Sequence, residues 1–296
     1  MTFRPRRGVL YMPGSNPRAI EKARSLPVDG VILDLEDAVA PEAKEQARRQ
    51  VADAVKAGGF GGREVFIRVN GIDTPWHADD FTVAAHAGPD AILVPKIGTV
   101  EQLERVGQRL LDMKVGLKTR IWAMIETPEA IFNINALAAE AHDSETRLAG
   151  FVMGTNDLAK ESRARLVPGR LPMVPWLAIC VLAAHGHGID ILDGVYNDLN
   201  NPAGLEAECT QARDMGFDGK TLIHPNQIGP CNTAFSPSLD DVAQARKVIA
   251  AFDLPENQNK GVAQVDGRMV ERMHAEMARR TVAIADAIEM AQAGNP

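Results

Sequence analysis

Eight short apolar runs recur along the chain: "GVLYM" (8–12), "GVILDL" (30–35), "EVFIRV" (64–69), "AILVPK" (91–96), "RIWAMI" (120–125), "LAGFVMG" (148–154), "IDILDGV" (189–195) and "GKTLIH" (219–224). Between them, segments such as "PRAIEKARSL", "PEAKEQARRQVADAVKAG" and "TVEQLERVGQRLLDMKVG" carry the apolar spacing of amphipathic helices. Strands that alternate with helices pair in parallel through right-handed crossovers. Eight such units predict an α/β fold, a closed (β/α)8 TIM barrel over residues 6–233. An open doubly wound sheet is the rival, and the absence of a GxGxxG after the first run weakens its dinucleotide-binding form.

Residues 234–296 lie beyond a complete barrel and read as a C-terminal helical extension. "SPSLDD" predicts an N-cap entering a helix, "LPENQNKG" a loop, "VAQVDG" a short hairpin, and 268–292 a long helix. The series Val270, Met273, Met277, Val282, Ala285, Ile288 on that helix predicts docking on protein. The expected surface is a neighbouring subunit, with the chain's own barrel as the alternative.

Composition sharpens this picture without changing it. With 296 residues, 45% hydrophobic and 24% charged, the chain has enough apolar residues for a real core. Its formal net charge of −7 argues against nucleic acid as a partner, since that needs a basic face. No apolar run approaches the roughly 20 residues that span a bilayer, so no membrane partner is expected. "MTFRPRRGVL" lacks the apolar core of a signal peptide. Cys180, Cys209 and Cys231 are odd in number and lack metal or redox spacing, which fits a reducing cytoplasm.

Barrels of this kind build their sites at the carboxyl ends of the strands. Polar residues crowd those ends here: Pro13-Gly14-Ser15, then Asp34, Glu36 and Asp37, Arg68 and Asn70, Lys96, Glu126, Asn156 with Asp157, Asp193 with Asn197, and His224. Glu126 and Asp157 leave adjacent strands, and two neighbouring hard oxygen ligands suit Mg2+, which keeps waters and accepts substrate oxygens. Alternatively either acid caps the helix that follows. Asp34, Glu36 and Asp37 are placed to support metal-bound water or to orient basic residues. Arg68 points into the mouth, where a guanidinium holds a carboxylate or an enolate oxygen, or else into a structural ion pair. "MPGSNPRAIEKA" joins a tight turn to a helix start, a geometry that favours anions but also serves as an ordinary strand–helix turn. His224, ahead of a proline, serves turn geometry or chemistry.

Seven segments, "RRGVLYMPGSNPRAIEKA", "VILDLEDAVAPEAKEQAR", "IRVNGIDTP", "ILVPKI", "MIETPEAI", "VMGTNDLA" and "GFDGKTLIHPNQI", together resemble the citrate lyase β-subunit-like family, in order and about one per strand. That family also holds malyl-CoA and citramalyl-CoA lyases. The resemblance runs from about residue 6 to 290. It implies a TIM barrel, a trimer or hexamer, bound Mg2+ with Mn2+ as a possible substitute, and a CoA or carrier-protein thioester as substrate. By motif, it implies Glu126 and Asp157 as metal ligands and Arg68 at the thioester and enolate oxygens. Tyr11, Asn16 and Lys22 match CoA contacts, Asn156 joins the substrate-binding set, and Ile223-His224 fall near the thioester end. Glu36 and Asp37 take supporting places. Where the family's lyases carry a late aspartate that moves a proton in a neighbour's site, this chain has Glu271 in "DGRMVERMHAEMA". The longer arm alters proton-transfer geometry. Together with "MGTNDLAKE" and "GVYND", it resembles the branch containing (3S)-malyl-CoA thioesterases.

The leading expectation is a Mg2+-dependent lyase that cleaves a β-hydroxyacyl-CoA of the malyl or citramalyl type to a 2-oxo acid and an acyl-CoA. Glu271 would protonate the enolate carbon. The first rival directs water at the thioester, releasing malate and CoA. The second is a citrate lyase β subunit that needs a carrier protein. A CoA-independent 2-oxo-acid aldolase is the remotest.

Overall fold

The structure, a computed structural model of a single chain, describes residues 4–293. Two compact units divide it, one spanning Arg6–Phe235 and the other built from Ser236 onward together with Arg4 and Pro5.

The first unit is a closed barrel of eight strands in sequence order. They are β1 (Gly8–Pro13), β2 (Gly30–Asp34), β3 (Glu64–Arg68), β4 (Ala91–Val94), β5 (Arg120–Ile125), β6 (Leu148–Met153), β7 (Asp190–Asp193) and β8 (Gly219–Leu222). All neighbours pair in parallel, and β8 closes onto β1. The crossovers carry α1 (Pro17–Ala23), α2 (Lys44–Ala57), α3 (His77–Ala87), α4 (Val100–Asp112), α5 (Pro128–Ala139), α6 (Thr155–Ser162), α7 (Val174–Gly186) and α8 (Pro202–Met215), and α9 (Ile228–Phe235) follows β8. A strand covered on both faces needs apolar residues on both, which is why the runs read as continuous rather than alternating. Alternate residues separate into two layers. Val9, Ile32, Phe66, Leu93, Trp122 and Leu192 fill the barrel interior, while Leu10, Leu33, Ile67, Ile92 and Ile121 pack outward under the helices. Trp122 meets Phe66 edge-on at 5.3 Å. Its bulk is admitted by Gly150, where a Cβ would come within 2.6 Å of the indole ring. Arg6 closes the amino-terminal end, paired with Glu64 and Asp190 and lying over Trp122.

The second unit begins with α10 (Leu239–Asp253), opened by the expected cap: Ser238 and Asp241 bond reciprocally in a capping box. Next comes a hairpin of β9 (Val262–Val265) and β10 (Arg268–Glu271), then α11 (Arg272–Ala293). The helix expected from 268 therefore starts at 272. Asp266 and Gly267 both adopt positive φ, 49° and 77°, the two-residue turn that folds Arg268–Glu271 back onto β9. Part of the docking series packs within the chain itself. Ala275 and Ala278 are buried against Val248 and Phe252, with Val270 and Val282 packed on that cluster. Met273 and Met277 stay 54% and 61% exposed. Small alanines let α11 approach α10, which turns the longer methionines outward. Among the described residues no helix is long and apolar enough to cross a membrane.

Candidate active site

A cavity of about 290 Å³ opens at the carboxyl ends of the strands, lined by Tyr11, Asp34, Asp37, Arg68, Glu126 and Asp157 among others. Strand register explains its first feature. Asp34 and Arg68 are lateral partners on β2 and β3, so their side chains leave the sheet together. The result is a two-point fork, Arg68 Nε to Asp34 Oδ1 and Nη2 to Oδ2, both 2.7 Å. Burial opposes ionisation of Asp34, but Arg68 outweighs it and holds the carboxyl below its ordinary range. Burial likewise works against the Arg68 charge, and Asp34, Tyr11 and Glu36 more than reverse it. Glu36 and Asp37 approach Nη1 at 2.8 and 3.2 Å, and the guanidinium lies 4.8 Å from the Tyr11 ring centroid. The three acids after β2 thus have separate tasks. Asp34 fixes the arginine from behind, and the other two touch its outer edge.

The second feature joins β4, β5 and β6. Glu126 is buried and accepts from the Lys96 N–H at 2.9 Å, with Lys96 held at a φ of 56°. That left-handed conformation is strained for a non-glycine residue, and such strain is commonest at functional sites. Gly154 lies beneath Glu126, and a Cβ there would come within 2.4 Å of the glutamate Cβ. Burial, and then the neighbouring charges of Glu36 and Asp157, push the Glu126 carboxyl up to about 8. Burial raises Glu36 to about 7 despite Arg68. Asp157 pairs with Lys96 Nζ at 3.3 Å. Neither metal candidate serves as a helix cap: Thr127 caps α5, and Gly154 precedes α6 without a side-chain cap.

The charge balance tests whether a divalent cation fits. Asp34, Glu36, Asp37, Glu126 and Asp157 face Arg68, Lys96 and, behind Glu36, Lys44, leaving an excess of acid that a divalent cation would offset. Among the described residues no group of three or more His, Cys, Asp or Glu is arranged to hold an ion by itself. Two protein oxygens with the remaining positions left to water or substrate are what Mg2+ accepts, so Glu126 and Asp157 fit it.

The other candidates divide. Asn156 and Ile223 line the same cavity, and Asn156 exchanges side-chain hydrogen bonds with Asn197. His224 is turned to its own loop, its Nδ1 accepting from the Asn226 N–H at 3.2 Å. Asn16 caps α1 through Ala19 N–H, and Lys22 is exposed on that helix. Glu271 belongs to the second unit, exposed at the end of β10, with its N–H donating to His274 Nδ1. Sequence reasoning passed over Thr155 and Thr221, which also line the cavity. It also missed a buried ion cluster around Lys220, whose one signal was a lysine inside an apolar strand.

The model of one family matches residues 7–225, which contain all eight strands and this cavity. The chain belongs to the HpcH/HpaI aldolase/citrate lyase family. Among its relatives, a (3S)-malyl-CoA thioesterase of Cereibacter sphaeroides is 48% identical over 284 residues, 96% of each chain. The citrate lyase subunit beta of Escherichia coli is 31% identical over 288 residues, covering 96% of this chain and 94% of that one. Among solved structures, the CitE protein of Mycobacterium tuberculosis in complex with magnesium, acetoacetate and coenzyme A superposes with a TM-score of 0.76 at 27% identity, covering 95% of this chain and 98% of that chain. Relatives of this chain thus include a malyl-CoA thioesterase, a citrate lyase subunit and a protein solved with coenzyme A, on the same fold.

Proposed function

We propose that this chain hydrolyses a malyl-type CoA thioester, with (3S)-malyl-CoA the first substrate to test, in a Mg2+-dependent reaction. The supporting observation is the 48% identity to (3S)-malyl-CoA thioesterases along 96% of both chains, against 31% to a citrate lyase β subunit. That balance favours hydrolysis over the lyase reaction that leads the sequence reading. Glu126 and Asp157 would hold Mg2+, which supplies Lewis-acid polarisation of an oxygen of the acid portion. Arg68, fixed from behind by Asp34, would exchange the longer Nη1 contact, that to exposed Asp37, for the thioester oxygen as negative charge develops there. Water adds to the carbonyl carbon, the C–S bond breaks, and the proton lost by water leaves with the CoA thiol. Asn156 would orient the acid portion, and Tyr11 and Ile223 would pack beside the thioester. Asn16 and Lys22 would contact CoA further out. Glu271 would supply the proton-transferring carboxylate from a neighbouring chain, which makes a homo-oligomer, a trimer or hexamer, part of the proposal. Three buried free cysteines suit a reducing cytoplasm.

The lyase remains the second reading, favoured by the family's lyase members. Incubating the purified chain with (3S)-malyl-CoA and Mg2+ decides between them: malate with free CoA is expected, whereas glyoxylate with acetyl-CoA would replace hydrolysis by cleavage. Glu271→Asp restores the shorter acid and should raise the share of glyoxylate; an unchanged product ratio removes Glu271 from the choice of reaction.

A further inference from the structure

Beside the β7 and β8 side of the cavity lies a charge cluster that the proposed chemistry does not use. Lys220 is fully buried, and its Nζ donates to Asp193 Oδ2 at 2.7 Å, Glu208 Oε1 at 2.7 Å and the Gly194 carbonyl at 2.5 Å. Arg170 Nη1 completes the cluster with bonds of 2.7 and 2.9 Å to the two Asp193 oxygens. Two cations and two carboxylates balance. Burial opposes the ammonium charge, but Asp193 and Glu208 outweigh it and keep Lys220 protonated.

The bond to Gly194 is the one that reaches from the cluster to the cavity wall. Gly194 is where the chain leaves β7, and a Cβ there would come within 2.5 Å of Thr155 Oγ1. The next residue, Val195, lines the cavity. The Tyr196 carbonyl then accepts from Gln227 Nε2 at 2.8 Å, and Asn197 Nδ2 donates to Asn156 Oδ1 at 2.7 Å, next to Asp157. Three points therefore hold residues 194–197: Lys220, Gln227 and Asn156.

We propose that Lys220 is a positioning residue that, through the Gly194 carbonyl, sets the loop presenting Val195 and Asn197 to the substrate. An ammonium has three N–H donors and no acceptor, and here each donor has its own acceptor, so no neutral side chain of that length reproduces the arrangement. The inference rests on the thioesterase reading only for the identity of the substrate.

The test compares Glu208→Gln with the double variant Lys220→Met/Glu208→Gln. The single variant unbalances the cluster but keeps the bond to Gly194. The double variant restores charge balance through Arg170 and Asp193 but loses that bond. Positioning predicts that the single variant unfolds at lower urea with kcat within twofold of the unmodified chain. The double variant should lose kcat on (3S)-malyl-CoA on the order of ten- to a hundred-fold. Its Mg2+ affinity, read by calorimetry, should stay unchanged. Methyl-selective NMR should show Val195 shifting in the double variant alone. Equal kcat losses in both variants, or a double variant with normal kcat and an unmoved Val195, would overturn the proposal. If the unmodified chain does not hydrolyse malyl-CoA, the functional reading fails and the Val195 signal alone decides the positioning. If the Met variant does not fold, Lys220→Gln/Glu208→Gln is read by the same two signals and against the same outcomes.

Discussion

Two acid–base pairs sit in register on neighbouring strands of the same barrel, Asp34 with Arg68 on β2 and β3, and Asp193 with Lys220 on β7 and β8. Both are buried, and in both the acid contacts its base at 2.7 Å. They differ in what surrounds them. Around Lys220 every charge is matched, and the bond that the ammonium sends outside the charges goes to the Gly194 carbonyl. Around Arg68 the acids outnumber the bases, two carboxyls are pushed upward, and the guanidinium edge faces a cavity. A balanced cluster holds backbone in place. An unbalanced one leaves room for a ligand that supplies the missing charge.

The largest expected effect breaks the open half. Arg68→Lys keeps the charge but loses the planar fork, so it cannot span Asp34 and still address the substrate. Turnover should fall on the order of 10²- to 10³-fold, the range for losing an oxyanion donor. Steady-state kinetics check this, and near-normal turnover would make Arg68 a purely structural residue.

The next effect sharpens the contrast through stability. Asp193→Asn leaves two buried cations short of a partner and should cost about 3–5 kcal/mol, read from urea titration. Glu126→Gln removes one member of a like-charged group, so the metal-free chain should lose no stability at pH 8.5, while Mg2+ binding disappears from calorimetry. Comparable destabilisation by both changes would erase the distinction.

The smallest effect is a pH dependence of the open half alone. Glu126 moves from an ordinary 4.5 up to about 8 in the folded chain. Over that window the folded state binds a proton that the unfolded state has released, so the metal-free chain loses stability as pH rises from 4.5 to about 8. Mg2+ competes with that proton, and its stabilisation should grow over the same window. Thermal melts with and without Mg2+ at pH 6 and 8.5 should show the larger difference at 8.5. An equal or smaller difference at 8.5 means that Glu126 does not meet the ion.

The eight-unit barrel was legible because each strand declares itself locally, as a short apolar run ending in polar residues ahead of an amphipathic helix. The placing of Glu126, Asp157 and Arg68 at the cavity was legible for the same reason, each sitting just past or at the end of such a run. The hairpin that shortens α11 was less so. "RMVERMHAEM" has the composition of a helix, and only pairing with β9 across Asp266-Gly267 makes its first four residues a strand.

Sequence by itself determined the order and type of elements, and with them which residues reach the barrel mouth, because strand periodicity and chain direction are local properties. Tertiary structure alone decided which charges are compensated there. Arg68 and Lys220 are both strand-borne bases in the sequence, yet Lys220 meets Glu208 of α8 and an acid shared with Arg170, whereas Arg68 borders carboxylates in excess. Electrostatic balance depends on distance and burial in three dimensions, and residues 170, 193, 208 and 220 have no adjacency along the chain from which it could be read.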